Sequence, residues 1–536
     1  MPGRTTAPLD GQRTDQRAAL GAIPAGLARD GAGRRGGECG SGVARLATAA
    51  GSVLFVCAVV LLARVALGGP VAAVVEADGG RAVFGFVVDR LGAVVLVLVT
   101  GIALMVQAYA VRYLRGDGRA GRFFAGSLAL TAATAGVATS ATLTGLVAAW
   151  VLASLSVCVL LSHRNDLAEG REGVRRAIRA FLIGDLALLG ATALVVVTVG
   201  DVDLRSVTAD QLADPRLEPL AGLAVPVLPM VAVLVVVAAL ARSAQLPLPC
   251  WLQATLAAPT PVSALLHAGV VNAGGLVLIR LSPLLDHAPA ATHLAFAAGA
   301  ATAVAGSAAM VVRPDAKGAL AQSTVAQMGF MVMQCSLGAF GAAAFHLVGH
   351  ALYKATLFLG VGSAVSHHRW HPGTPPATSA RRRVSRLALA AALPAAAVGA
   401  VAAVADPPAL SHRGGWLLVG FAVLTGAHAT WAWLGHGRIL PRAATAAVVL
   451  AAAAAIYLAG VSAFEAFLAA ALSEPGPAFV DPVWAAALAV AVGAGVVAVS
   501  VGPWPNLRAR LWVKSLVFAR VIPASAGEPD ARDGAR

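Results

Sequence analysis

Lysine is nearly missing from this sequence: Lys317, Lys354 and Lys514 stand against 37 arginines. Charge of either sign is scarce, at 12% of 536 residues, where a soluble domain carries about a quarter. So little charge cannot coat a water-facing surface of this size, which excludes soluble enzymes and DNA-binding proteins. Cysteine is sparse as well. Cys39, Cys57, Cys158, Cys250 and Cys335 lie far apart, with no CxxC pair and no histidine at ligand spacing, so no zinc or iron–sulfur site is expected. They read as buried thiols that pack as small hydrophobes.

What is present is apolar length, with 58% hydrophobic residues and a mean hydropathy of +0.78. Runs of about 20 apolar residues, enough to cross a hydrocarbon layer of about 30 Å as helices, recur from Thr48 onward. Spans are expected at 48–67, 88–110, 123–141, 143–161, 178–200, 222–257 with an internal break, 261–281, 294–312, 318–338, 341–364, 385–405, 415–435, 444–470 and 482–502. The fold class is therefore an all-α polytopic membrane protein of about 14 transmembrane helices. Residues 1–45, rich in Gly, Ala and Arg, read as a disordered cytoplasmic tail, 46–505 as the transmembrane domain and 506–536 as a cytoplasmic C-terminal tail. A cleaved signal peptide is not expected, because no basic start leads into a short apolar core.

The basic residues test this map, since cytoplasmic loops collect Lys and Arg and each span flips the chain. With the N-terminus cytoplasmic, the inner segments hold 31 basic residues: the tails, Arg112 to Arg122, Arg164 to Arg179, Arg313 and Lys317, Arg369 to Arg386, and Arg438 and Arg442. The outer segments hold four, Arg81, Arg205, Arg216 and Arg413, among acids such as Asp201, Asp203, Asp210, Asp214, Glu474 and Asp481. The net charge of +14 thus reflects loop placement and not a nucleic-acid partner.

Charge at membrane depth costs about 3 kcal/mol on insertion scales, so each such group is a functional candidate. The main ones are Asp185, Arg242, His267, His346, His350, Lys354, His428 and Glu465, with Arg64 and Arg280 close enough to span ends to snorkel. His346, His350 and Lys354 sit in AFHLVGHALYKATLFL, where spacing of four and four lines them along one helix face over about 12 Å. Three protonatable groups in file suit a proton or ion relay; the alternative is that the imidazoles only bridge helices by hydrogen bonds. Lysine can surrender its proton where arginine cannot, so Lys354 stands out against the arginine bias. Arg242 precedes Pro247 and Pro249, which deny two backbone donors and break the helix just beyond it. Broken helices expose polar backbone at membrane depth, where transporters place ion sites. Arg242 is either a gate for charge or a fixed structural cation bonded to freed carbonyls and a carboxylate. His267 either bonds within the core or links the Arg242 break to the file. Gly274 and Gly275 read as close helix packing. Asp185 and Glu465 have no partner visible in the sequence, although Asp185 could neutralise an arginine.

The stretches ARSAQLPLPCWLQATLAAPTPVSALLHAGVV and LAQSTVAQMGFMVMQCSLGAFGAAAFHLVGHALYKATLFLGVGSAV, with VVDRLGAVVLVLVTGIALMVQAYAVRYL and GRFFAGSLAL before them, resemble the proton-conducting membrane subunits of respiratory complex I and of multisubunit sodium/proton antiporters. The resemblance covers roughly residues 85–365. It implies antiporter-like inverted repeats with a broken helix near Pro247 and Pro249, and a line of acidic, Lys and His residues across the membrane. By motif, Arg242 stands where that family has the lysine of KSAQ, His267 matches its HA motif, and His346, His350 and Lys354 match FHL, H and FKA. Asp185 falls near the acid of an RVGD stretch. Three departures are visible: LTGLVAAWVLASLSVCVLL has no carboxylate beside its tryptophan, Arg242 replaces lysine, and no GFFSK-like segment follows, VGAVAAVADPPALS offering only Asp406.

With these departures, and with HAGVVNAGG, AQMGF and HALYKATLFL in place, the sequence is most similar to the B subunits of the Dab-type inorganic carbon transporters. That resemblance implies a plasma or inner membrane location and a partner, the carbonic anhydrase-like A subunit. Cofactors are expected to be absent from this chain, with zinc on the partner, while the membrane subunit conducts protons or sodium ions to drive CO2 uptake and its hydration to bicarbonate. The alternative is a proton-pumping subunit of a respiratory NADH dehydrogenase or of a cation/proton antiporter complex.

Overall fold

Lipid offers the backbone no hydrogen-bond partner, so long runs of Ala, Val and Leu satisfy their amides internally as helices. The computed structural model describes the backbone of residues 32–77, 81–200, 225–368, 380–405 and 439–472, with isolated positions between 203 and 217 and from 420 onward. Helix α1 (Ala32–Gly68) leads through a β-hairpin, β1 (Val71–Ala77) and β2 (Arg81–Val88), into α2 (Arg90–Tyr113), α3 (Ala120–Thr139), α4 (Leu143–Leu161) and α5 (Ala168–Val199). There follow α6 (Val227–Arg242), the one-turn α7 (Cys250–Gln253), α8 (Thr260–Ala268), α9 (Ala273–Arg280), the one-turn α10 (Ser282–Leu285), α11 (Pro289–Val312), α12 (Ala316–Ser336), α13 (Phe340–His368), α14 (Ala380–Ala405) and α15 (Ile439–Leu468).

Among the described residues eight helices are long and apolar enough to cross a membrane, and α6 is a shorter apolar helix. The expected spans 123–141, 318–338 and 341–364 form the helices α3, α12 and α13 but are not among those eight, while 415–435, which contains His428, and 482–502 lie largely outside the described residues, as do residues 1–31. Three boundaries differ from the sequence reading. The first helix begins at Ala32, so residues 32–45 of the expected disordered tail are helical. The loop expected to hold Arg164 to Arg179 closes within residues 162–167, and α5 carries Arg171 to Arg179 in its own first turns. The antiparallel hairpin of β1 and β2, with Val71 opposite Val88, and a short antiparallel pairing of Arg216–Leu217 with Val225–Pro226 add strand to a mostly helical fold, and Phe86 bridges to Ser140 ahead of α4.

Side chains cap several helices. Asp89 accepts from the Gly92 amide at 2.7 Å and Thr142 from that of Gly145 at 3.1 Å, ending the orphaned state of first-turn donors. Asp89 is also ion-paired with Arg280, whose Nη2 donates to the Ala138 carbonyl at 2.8 Å. Arg280 therefore ties α2, α3 and α9 together and does not snorkel.

Two helix breaks face each other in the middle of the fold. The first, Ser243 to Pro249, follows α6 where the prolines require it. The second, a 3-10 turn over Val270–Asn272, splits the expected span 261–281 into α8 and α9. Ser243 Oγ donates to the Val271 carbonyl at 2.8 Å, so one break satisfies the other. A side chain at Gly274 would bring its Cβ within 2.4 Å of the Ala239 carbonyl, which is why only glycine fits there.

Helices α11 and α12 touch backbone to backbone through Gly299 and Gly329. A Cβ at Gly329 would stand 2.5 Å from the Gly299 carbonyl and 2.8 Å from the Ala303 amide. Gly329→Ala must separate the two helices and is expected to destabilise the protein by about 1–3 kcal/mol, the range for overpacking. A fall in the melting temperature of detergent-solubilised protein measures this, with Gly349→Ala, which meets open space, as the control.

Candidate functional site

On α13 the helical repeat puts His346, His350 and Lys354 on one face, and the fold turns that face away from lipid. Lys354 is 0% exposed and His350 4% exposed, whereas their neighbours Leu352 and Tyr353 are 52% and 54% exposed. Lys354 Nζ donates to Ser323 Oγ at 2.8 Å and to the Leu320 carbonyl at 3.2 Å, both on α12. Among the described residues these acceptors are neutral, and no carboxylate stands within ion-pairing distance. His346 Nδ1 lies 2.9 Å from Gln334 Oε1, and its ring centroid is 6.0 Å from that of His350.

Helix α8 packs against α13 and brings a fourth group. His267, 0% exposed, stacks on Phe358 with centroids 4.2 Å apart, one turn beyond Lys354. Both ring nitrogens of His267 and both of His350 are buried without a hydrogen-bond partner among the described groups. Buried polar nitrogens are nearly always bonded, and Arg242 Nη1 and Trp150 Nε1 are in the same position as these two imidazoles. Four side chains of protonatable type, His267, His346, His350 and Lys354, are thus gathered between α8, α12 and α13, next to the second helix break.

Arg242 belongs to a different cluster. Its Nη2 donates to Ser154 Oγ at 2.7 Å, to Asp185 Oδ1 at 3.1 Å and to the Trp150 carbonyl at 3.1 Å. Its guanidinium carbon lies 4.2 Å from the Trp150 ring centroid and 4.8 Å from that of Phe181. Asp185 accepts a further bond from Ser154 at 2.9 Å, and Trp251 Nε1 donates to the Ala241 carbonyl freed at the break, at 3.0 Å. Among the described residues the bonds and ring contacts of Arg242 go to α4 and α5, so the structure joins Arg242 with Asp185 and shows no bond from either to the α13 file. The carboxylate partner agrees with the view of Arg242 as a structural cation, but the carbonyl it meets, that of Trp150, lies within α4 and is not one freed by the break.

Sequence reasoning missed Ser323, Gln334 and Ser154, the groups that hold the charges in place. Serine and glutamine carry little charge signal, and only the meeting of distant helices reveals them. It also missed an amide pair, Gln253 Nε2 to Gln322 Oε1 at 3.4 Å, adjacent in sequence to Ser323. Lys317 donates to the Ala258 carbonyl at 3.0 Å on the same side of the fold. Glu465 of α15 packs against Gly341 at the start of α13, which gives it a place although the sequence assigns it none. Among the described residues no group of three His, Cys, Asp or Glu could hold a metal ion.

Residues 140–439 match the transmembrane family described as NADH:quinone oxidoreductase/Mrp antiporter, and residues 75–124 match the N-terminus of complex I chain 5. The chain is 38% identical over 288 residues to a protein named as probable inorganic carbon transporter subunit DabB1 of Halothiobacillus neapolitanus, covering 54% of this chain and 51% of that one. It is 35% identical over 295 residues to the probable DabB subunit of Bacillus subtilis, covering 54% and 56%. It is 34% identical over 295 residues to chloroplastic NAD(P)H-quinone oxidoreductase subunit 5 of Nephroselmis olivacea, covering 54% and 44%. The chain thus spans about half the length of these curated relatives. Among solved structures, the Mrp complex from Dietzia sp. DQ12-45-1b shares the fold, with a TM-score of 0.55 at 24% identity over 94% of this chain and 64% of that chain.

Proposed function

Since this chain belongs to the NADH:quinone oxidoreductase/Mrp antiporter transmembrane family, we propose that it is the ion-conducting membrane subunit of an energy-coupled inorganic carbon transporter. It passes protons or sodium ions along His267, His346, His350 and Lys354 and so powers a carbonic anhydrase-like partner. The observation that carries this reading is the buried ammonium of Lys354, held by neutral acceptors on the helix face it shares with His346 and His350. An ammonium, unlike a guanidinium, can give up its proton, and this one sits in a file along which a proton can step. The basic loops lie in the cytoplasm in this reading, with both termini, and the protein resides in the cell membrane. A gradient then supplies about 2.3 kcal/mol per charge for each 100 mV.

The choice of inorganic carbon as cargo rests on the probable DabB relatives in two bacteria and on the sequence departures at residues 143–161 and at Arg242. Zinc and hydration chemistry belong to the partner in this reading. Affinity purification from native membranes tests it. A second chain with bound zinc and carbonic anhydrase-like sequence is expected, together with uptake of labelled inorganic carbon that collapses when a protonophore or sodium ionophore removes the gradient. Co-purification of quinone-reducing subunits instead would overturn the carbon assignment and favour the respiratory alternative, to which the chloroplastic relative speaks.

A further inference from the structure

Helix α5 is longer than a crossing needs. Its 32 residues rise about 48 Å, against a hydrocarbon layer of about 30 Å, so its first turns stand out on the side of the basic loops. One stripe of the helix runs at helical spacing through Arg171, Arg175, Ile178, Leu182, Leu186 and Leu189. The four apolar members are 48%, 55%, 57% and 51% exposed, and in a spanning helix such a stripe faces acyl chains. At its basic end the surface is not flat: Asn165, Val174 and Arg179 join Arg171, Arg175 and Ile178 around a groove of about 320 Å³.

The charges of the groove are only partly compensated. Glu172 pairs with Arg175 and with Arg176. Arg171 donates to the carbonyls of Asn165 at 2.9 Å and of Asp166 at 3.3 Å, neutral acceptors that leave its charge intact. Arg179 makes no ion pair or hydrogen bond among the described residues. Arg171 and Arg179 therefore border, with little compensation, a concavity that shares Ile178 with an apolar strip about 16 Å long.

We propose that this groove is a binding site for an anionic phospholipid, with its phosphate between Arg171 and Arg179 and an acyl chain along Ile178, Leu182, Leu186 and Leu189. Guanidinium forks match phosphate oxygens, and a bilayer's acidic headgroups lie at this depth. The apolar strip decides between a lipid and an acidic protein surface, because a soluble partner reaches the arginines but not the strip within the hydrocarbon layer.

Native mass spectrometry of the detergent-purified protein, with whichever subunits accompany it, tests the site by titration with phosphatidylglycerol or phosphatidylcholine. One phosphatidylglycerol is expected to bind and to raise the melting temperature, while phosphatidylcholine does neither. The double variant Arg171→Gln/Arg179→Gln should weaken that binding roughly tenfold to thirtyfold. The charge-matched variant Arg112→Gln/Arg122→Gln, which alters exposed arginines outside the groove, should leave it unchanged and controls for folding and general charge. Equal binding of the two lipids, or equal loss in both double variants, would overturn the site. Stabilisation by inorganic phosphate alone to the same extent would overturn the lipid as its occupant. Loss of an accompanying subunit from the groove variant, with lipid binding intact, would reassign the groove to a protein contact.

Discussion

Lys354→Ala is expected to leave the protein inserted in the membrane in normal amount and to reduce gradient-driven uptake of labelled inorganic carbon by about 10²-fold or more, the range for loss of a positioned proton-transfer group. Insertion survives because the ammonium has no carboxylate partner among the described residues, only Ser323 Oγ and the Leu320 carbonyl. Its removal orphans no buried acid, and serine and a helix-interior carbonyl tolerate the loss. Lys354→Arg separates a charge requirement from a proton requirement. A guanidinium keeps the charge and holds its proton, so the arginine variant should be as inactive as the alanine one. Uptake at the native rate in either variant, in membranes with matched protein levels, would end the assignment of Lys354 to the path.

The same chemistry explains which parts of the site were legible in the sequence. His346, His350 and Lys354 declare themselves because one helix holds all three, and a spacing of four residues needs no tertiary information to predict a shared face. The break after Arg242 is equally local, since Pro247 and Pro249 cannot continue a helix whatever surrounds them. The second break carries no proline. Val270–Asn272 leaves the helical path inside an apolar run, where Ser243 Oγ reaches across to the Val271 carbonyl, and nothing in VVNAGG specifies that bond. Likewise, Asp185 and Arg242 are 57 residues apart in the chain, so their pairing follows from the packing of α5 on α6 and not from a motif. The early start of α1 and the β-hairpin were missed for another reason. Gly- and Arg-rich composition argues against a core, but one long helix needs no core of its own, and short strands such as VAAVVEA look like any apolar run.

The pair of Arg242 and Asp185 should show a stability effect comparable in weight. With the Arg242 and Asp185 side chains 2% and 15% exposed and one carboxylate oxygen serving both Arg242 and Ser154, removing the acid leaves a buried charge and removing the arginine a largely desolvated one. Asp185→Ala and Arg242→Ala are each expected to destabilise the protein by about 3–5 kcal/mol, read as a large fall in the melting temperature of the solubilised protein. Replacing both by apolar residues, Arg242→Met with Asp185→Leu, removes the two charges together and should recover much of that loss, since a buried ion pair contributes little over packed hydrophobic groups of similar size. Because the contacts of Arg242 all go to α4 and α5, the double variant should also retain uptake once folded. If it folds stably yet transports nothing, the pair is part of the ion path, and the conductive line must extend from α13 through the first helix break to Asp185.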